Sequence, residues 1–250
     1  AHYRGGEWIY GVPQGRRKIV IELGANNGEW ISQFLQMHGD FWPIIVEAQP
    51  TFKDDLRVIA QNYGGMYIQR AAWITEGETM TFHAHTDAGG MGSSLFGDSV
   101  YSEGFCDGDL KCNHSLGEAY DVTTLDVVSL LERVARPDDY IVLRMDIEGA
   151  EYEVARRLIN SGLACSIDNW EFEGHAMYAK QNYKYRPVDG VLPWLLRGCG
   201  VTMNVYQYYK ADPKLQKLRE QVESEDACAW LRFGVDGCSE FGSCGGIPEK

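Results

Sequence analysis

Three stretches of the chain hold residue types whose spacing could do chemistry. The first is KIVIELGANNGEW, Lys18 to Trp30, in which Glu22, Gly24, Asn26 and Gly28 sit at the end of an apolar β-branched run. Glycine lets a backbone turn tightly and approach a ligand where a Cβ would collide. Asparagine tolerates unusual dihedrals and caps helices. A strand, a glycine turn and a helix N-terminus together aim free N–H groups and the helix dipole at a ligand, which makes a nucleotide-type site. The second stretch is FWPIIVEAQP, Phe41 to Pro50. Its carboxylate, Glu47, falls roughly 20 residues after the turn, the place from which an acid in a doubly wound fold reaches ribose hydroxyls.

The third set lies further on. Tyr140 to Met145 is the most hydrophobic run and delivers Asp146 to its C-terminal tip, where open α/β sheets bind ligands. Glu148 and Glu151 follow where a helix starts, a place that favours negative charge, and Glu151 reads as structural. Cys165 to Phe172 reads as another strand ending in EFEGH. Alternation puts Glu171 and Glu173 on one face, and one of them with His175 can converge on the crevice of Asp146. An Asp, a Glu and a His at adjacent strand tips can form a general-base set or a hard divalent-metal site, with Asp146, Glu173 and His175 as the candidates for both roles.

These side chains need a parallel sheet with helices around it. Ile19, Val20, Ile21 and Leu23 suit a strand covered on both faces. Trp30, Phe34 and Leu35 mark the helix after it. Thr51 to Tyr63 reads as a helix with Phe52, Leu56 and Ile59 along one face. Met66 to Ala72 reads as a third strand, and Thr79 to His85 alternates like an exposed one. Residues 86–120 form a long Gly-, Ser- and Asp-rich segment of the kind that makes lids or binding loops. Val122 to Val134 gives a strand and a helix ended by Pro137. Late in the chain, Val191 to Arg197 and Pro213 to Ser224 read as helices, and Val201 to Tyr208 and Ala227 to Phe233 as strands.

Length and charge bound the rest. The 250 residues suffice for one α/β domain with a single core. We divide them into an N-terminal arm at 1–17, a domain at 18–235 with the loop at 86–120 and an insertion at 175–193, and a Cys/Gly-rich tail at 236–250. A net charge of -13 argues against nucleic acid and against an anionic membrane surface. No apolar run approaches the roughly 18 residues of a membrane span. The chain starts at Ala1 without a Met, so an upstream signal or anchor can have been removed.

Seven cysteines are many for a cytosolic enzyme. Cys106 with Cys112, and Cys238 with Cys244, bound short polar loops that read as local disulfides; zinc is the competing reading, without the C-x-x-C spacing. Cys165 and Cys199 read as buried thiols, and Cys228 either takes a partner or is the odd one left over. Asn113-His114-Ser115 is a glycosylation sequon.

IELGANNG, VEAQP, TTLDVV at Thr123 to Val128 and LRMDIEGAEYEV at Leu143 to Val154 resemble, in this order, the FkbM-type S-adenosylmethionine-dependent methyltransferases. The likeness spans about Lys18 to Glu173, and DIEGAE at Asp146 to Glu151 is its most specific piece. The chain departs from the family pattern at Glu22, where Asp is commoner, at Gln49, which interrupts the acid motif, and at Arg144, which replaces Lys. No carboxylate or glycine is lost.

The resemblance implies a Rossmann-like class I methyltransferase fold with a mostly parallel seven-stranded sheet, closed by an antiparallel hairpin. It implies S-adenosylmethionine as cofactor, with Glu22 to Gly28 on the amino-acid end, Glu47 on the ribose, Ala72 near the adenine, Ser94 close by and Asp146 near the sulfonium. It also implies transfer to a hydroxyl. The cysteines, the sequon and an aromatic overhang at Tyr178, Tyr183, Tyr185 and Trp194 point to a sugar hydroxyl of a glycan in a secretory, Golgi-like lumen. A small-molecule acceptor, a cytoplasmic setting and a catalytically inactive binding module stay open. An NAD-dependent oxidoreductase would want the fuller G-x-G-x-x-G pattern, which Gly24, Asn26 and Gly28 do not supply.

Overall fold

The computed structural model describes residues 15–85, 92–96, 116–175 and 188–207. Their strands are β1 (Lys18–Leu23), β2 (Trp42–Val46), β3 (Met66–Ile68), β4 (Ala71–Trp73), β5 (Thr79–His85), β6 (Leu116–Asp126), β7 (Tyr140–Met145), β8 (Asn169–Gly174) and β9 (Thr202–Gln207). Their α-helices are α1 (Glu29–Met37), α2 (Lys53–Asn62), α3 (Val127–Val134), α4 (Glu151–Ser161) and α5 (Val188–Arg197).

Alternation along the strands builds the core. Ile19, Ile21 and Leu23 of β1 face one side with Ile141, Leu143 and Met145 of β7, where α3, α4 and α5 cover them. Val20 and Val142 face the other side, under Phe34 and Leu35 of α1 and Leu56 of α2. Strands covered on both faces are apolar at most positions, and apart from Lys18, Glu22 and Arg144 these runs read as hydrophobic segments. The result is an α/β, Rossmann-like sheet of six strands in the order β3-β2-β1-β7-β8-β9, every neighbouring pair parallel.

From β1 the chain runs outward through β2 to β3, then returns to the opposite side of β1 and runs outward again through β7, β8 and β9. The reversal leaves a switch point between β1 and β7. Strands β4, β6 and β5 form a second, three-stranded sheet in which β4 is parallel and β5 antiparallel to β6. Helix ends follow local chemistry: Asp126 Oδ1 accepts from Val128 N at 3.1 Å to cap α3, and Gly162, at φ 77°, closes α4.

Several expectations need correction. Among the described residues the main sheet has six strands; β9 pairs parallel with β8, and Ala227 to Phe233, the partner expected for it in an antiparallel hairpin, lies outside them. The run Met66 to Ala72 divides between two sheets, because Arg70 N bonds back to Ile68 O and turns the chain. Leu163–Ser166 is a 3-10 turn rather than the start of β8. The segment 86–120 is not structureless to its end: β6 starts at Leu116 and pairs with β5.

Cys165 and Cys199 are joined as a disulfide rather than left as thiols. That bond ties the turn before β8 to the chain just after α5, and it is a feature of proteins made in oxidising compartments.

Among the described residues no helix is long and apolar enough to cross a membrane. The loops Cys106–Cys112 and Cys238–Cys244, Cys228, the sequon, Tyr178, Tyr183, Tyr185, the segments read as a helix at Pro213–Ser224 and a strand at Ala227–Phe233, and most of the N-terminal arm lie outside the described residues.

Candidate functional site at the switch point

The C-terminal ends of β1, β2 and β7 open on a cavity of about 500 Å³. It lies at the topological switch point, where the strand order of an open sheet leaves a crevice. The turn after β1 is built for close approach. Gly24 has φ 81°, and a Cβ there would stand 1.8 Å from the carbonyl oxygen of Asp146. Only glycine lets the β1 turn lie against the tip of β7 this closely.

The turn is also tied to β2. Gly24 N and Ala25 N both donate to Val46 O, at 3.0 and 3.2 Å. Asn26, in the left-handed region at φ 48°, donates its backbone N–H to Glu47 Oε2 at 2.7 Å, and Gln49 N donates to Oε1 at 2.7 Å. The two halves of the nucleotide-type pattern thus touch. Burial raises the pKa of Glu47, against the lowering effect of those N–H groups.

Behind the turn lies a charged row. Glu22 faces Arg144 in the register of β1 and β7, and Arg144 faces Glu171 in that of β7 and β8. The Arg144 Nη2 donates to Asp146 Oδ2 at 2.6 Å and lies 3.4 Å from Glu173 Oε2, while its Nε is 3.5 Å from Glu22 Oε1. Its guanidinium also stands over the Trp30 ring, 5.2 Å from the centroid. Burial works against this cation, but Asp146, Glu22 and Glu173 outweigh it and raise its pKa.

Glu22 is 1 % exposed, lines the cavity, and its Oε2 has no hydrogen-bond partner among the described residues. Burial pushes its pKa up to about 8; Arg144 opposes the rise and Asp146 and Glu47 add to it.

An imidazole that does not itself line the cavity gathers acids that do. His175 is 2 % exposed, and its Nδ1 lies 2.7 Å from Glu151 Oε1. Its Nε2 lies 3.6 Å from Glu148 Oε2, 3.8 Å from Asp146 Oδ1 and 3.9 Å from Glu173 Oε1. Burial disfavours the charged ring, but Glu148, Glu151 and Asp146 together hold its pKa well above the ordinary value. Burial pushes Glu148 up to about 7, with His175 opposing, and it raises Glu173 also, helped by Asp146.

The expected residues divide by role. Glu22, Gly24, Asn26, Glu47, Ala72, Asp146 and Glu173 line the cavity. Gly28 does not. Its φ of 77° and its packing serve α2 instead, since a Cβ would meet Ile59 and Leu56 side chains at 2.7 Å. Ser94 likewise turns away: its hydroxyl donates to Glu148 O at 2.5 Å, and its neighbours Ser93 and Leu95 line the cavity. Glu151 accepts from Ile147 N and Gly149 N at 3.0 and 2.8 Å, so it shapes the turn and holds His175.

Two members of the site were missed as such. Arg144 stood out in the sequence only as a departure from a motif, although its place in a strand opposite Glu22 marks it as a buried cation. Glu148 precedes the helix rather than opening it, with φ 51°, and no sequence signal announces that turn.

Compared with known proteins, the chain matches no family model, no curated protein and no solved structure.

Proposed function

We propose that the chain is an S-adenosylmethionine-dependent O-methyltransferase whose acceptor is a hydroxyl, most simply of a sugar in a glycan. The observation that carries this reading is the acid-lined cavity at the switch point. Glu22, Glu29, Glu47, Asp146, Glu148, Glu171 and Glu173 line it against Arg70 and Arg144. A dinucleotide would bring a doubly negative pyrophosphate into that field, whereas S-adenosylmethionine brings a sulfonium and an ammonium. The unpartnered Oε2 of Glu22 suits the ammonium, and the acid of Glu47 suits ribose hydroxyls.

When bound, S-adenosylmethionine supplies an electrophilic methyl group on a positive sulfur. The chain's own residues have two tasks, to hold the acceptor oxygen in line and to take its proton. Asp146, at the tip of β7, puts a carboxylate where positive charge is held, and Arg144 fixes its Oδ2. Glu173 also lines the cavity, and burial and Asp146 raise its pKa above the usual carboxylate range, which suits a base that takes the acceptor proton. His175 is too enclosed to reach the acceptor freely; held by Glu151, it positions the acids around it. The disulfide Cys165–Cys199 supports placing this chemistry in a secretory lumen, Golgi-like in its conditions.

The test is transfer of labelled methyl from S-adenosylmethionine to a panel of free sugars, glycans and small phenols. Label entering a hydroxyl product, lost in Asp146→Asn, is the expected result. Label in no product from an enzyme that still binds cofactor would leave a binding module only, and product from phenols but not sugars would move the acceptor to small molecules.

A further inference from the structure

The seven acids of the cavity are not evenly spread, and those nearest His175 have a shape of their own. Asp146, Glu148 and His175 each present one ligand atom, and the three atoms lie within 4.8 Å of one another. Metal–ligand bonds of about 2.1 to 2.4 Å would put cis ligands about 3.0 to 3.4 Å apart and trans ligands about 4.2 to 4.8 Å apart. The separations of 3.6 and 3.8 Å from His175 Nε2 to Glu148 and Asp146 fall between these limits. Glu173 Oε1, 3.9 Å from the same nitrogen, offers a fourth donor.

Two further observations set this group apart from a chance acidic patch. The imidazole is buried, and the contact of its Nδ1 with Glu151 aims Nε2 at the carboxylates; a histidine held by a carboxylate behind it is the usual outer support of a metal ligand. Glu148 Oε2 is a buried oxygen with no hydrogen-bond partner among the described residues, and it is the atom turned toward Nε2. The rest of Glu148 is fully engaged: Oε1 accepts from Gly92 N at 3.0 Å, and its carbonyl accepts from Ser94 Oγ. One oxygen of an anchored carboxylate is thus kept aside.

We infer that Asp146 Oδ1, Glu148 Oε2 and His175 Nε2, with Glu173 beside them, form a binding site for one divalent cation. Two carboxylate oxygens and one imidazole nitrogen suit Mn2+ best among the hard cations, because the nitrogen is a poorer ligand for Mg2+ or Ca2+. Binding itself is independent of the methyl-transfer reading. The use of the cation does rest on that reading: it would hold the acceptor hydroxyl at the cavity end of the site and make it more acidic.

The test is a titration of the metal-free protein with MnCl2, without cofactor, following the loss of the paramagnetic resonance signal of free aqueous Mn2+. Wild type should take up one Mn2+ per chain. Glu148→Gln and Asp146→Asn, each checked for folding by circular dichroism, should weaken uptake about tenfold or more. Glu153→Gln, which alters an acid on α4 paired with Arg156, should titrate like wild type. No uptake by wild type up to about 1 mM, the weak end of biological cation sites, overturns the site. So does unchanged uptake in whichever of the two ligand variants folds. A parallel titration with S-adenosylhomocysteine separates the claims: cofactor binding without Mn2+ uptake overturns the cation site alone, and Mn2+ uptake without cofactor binding overturns the methyl-transfer reading alone.

Discussion

Arg144 lies opposite Glu22 in the parallel register of β1 and β7, with Nε 3.5 Å from Oε1, and the same guanidinium holds Asp146 at the tip of its own strand. One cation therefore offsets three carboxylates at the base of the cavity, Glu173 being the third. Removing it leaves Glu22 buried without that cation and leaves His175 as the remaining positive partner of Asp146 and Glu173. Arg144→Met should destabilise the fold by about 3 to 5 kcal/mol in urea unfolding, the usual cost of breaking a buried pair from one side. Arg144→Lys should recover part of the loss, since it restores the charge but not the fork that reaches Glu22 and Asp146 together.

Glu22 makes a pH dependence whose sign can be worked out. Its pKa is raised in the folded chain, from an ordinary 4.5 to about 8, so between those values the folded state binds more protons than the unfolded one. Its contribution to stability is present below pH 4.5 and is lost as pH rises toward 8. Glu22→Gln should flatten that part of the decline when unfolding midpoints are compared across the window. An ammonium bound at Glu22 needs the ionised carboxylate, so affinity for S-adenosylhomocysteine should rise between pH 6.5 and 8.5 in wild type and lose that rise in the variant.

Two glycines of similar backbone conformation should respond differently to alanine. Gly77 has φ 75° and open space around its missing Cβ, so Gly77→Ala should cost only the left-handed strain, about 1 to 2 kcal/mol. Gly24 has φ 81° and the Asp146 carbonyl in the way, so Gly24→Ala must part β1 from β7 as well. Its loss of melting temperature should exceed that of Gly77→Ala, and the cavity should lose its ligand; equal losses would deny the close approach a structural role.

The pattern of what could be read beforehand follows from range. β1, β2 and β7 were legible because a strand buried on both faces is apolar at most positions, with Glu22 and Arg144 the buried exceptions, and the acids Glu47 and Asp146 stand at their ends, where apolar patterning stops. The grouping of Asp146, Glu173 and His175 was legible because strand tips of a parallel sheet lie side by side. Glu148 was not, because an L-residue at φ 51° is imposed by tertiary contacts with Gly92 and Ser94 rather than by local propensity. The split of Met66 to Ala72 depends on which strand each half pairs with, and periodicity carries no such information. The Cys165–Cys199 pairing is set by the return of α5 and β9 to the sheet, a contact across 34 residues of sequence.

That disulfide closes a loop large enough to matter. For a separation of 34 residues, chain-entropy arguments give about 4 kcal/mol, an upper value before native strain. Cys165→Ser with Cys199→Ser should therefore lower stability by about 2 to 4 kcal/mol. Wild type treated with a reductant should melt at the variant's temperature, and a reductant-insensitive melt would mean the bond adds nothing.

The central claim is that the crevice between β1 and β7 binds S-adenosylmethionine through the turn at Gly24 and the acid at Glu47. Calorimetric titration with S-adenosylhomocysteine tests it most directly, on wild type and on Glu47→Gln confirmed as folded by its melt. The account predicts one site of micromolar affinity in wild type, weakened at least about tenfold by the loss of one charged hydrogen bond in the variant. No heat of binding in wild type, or equal affinity in the two proteins, would contradict it.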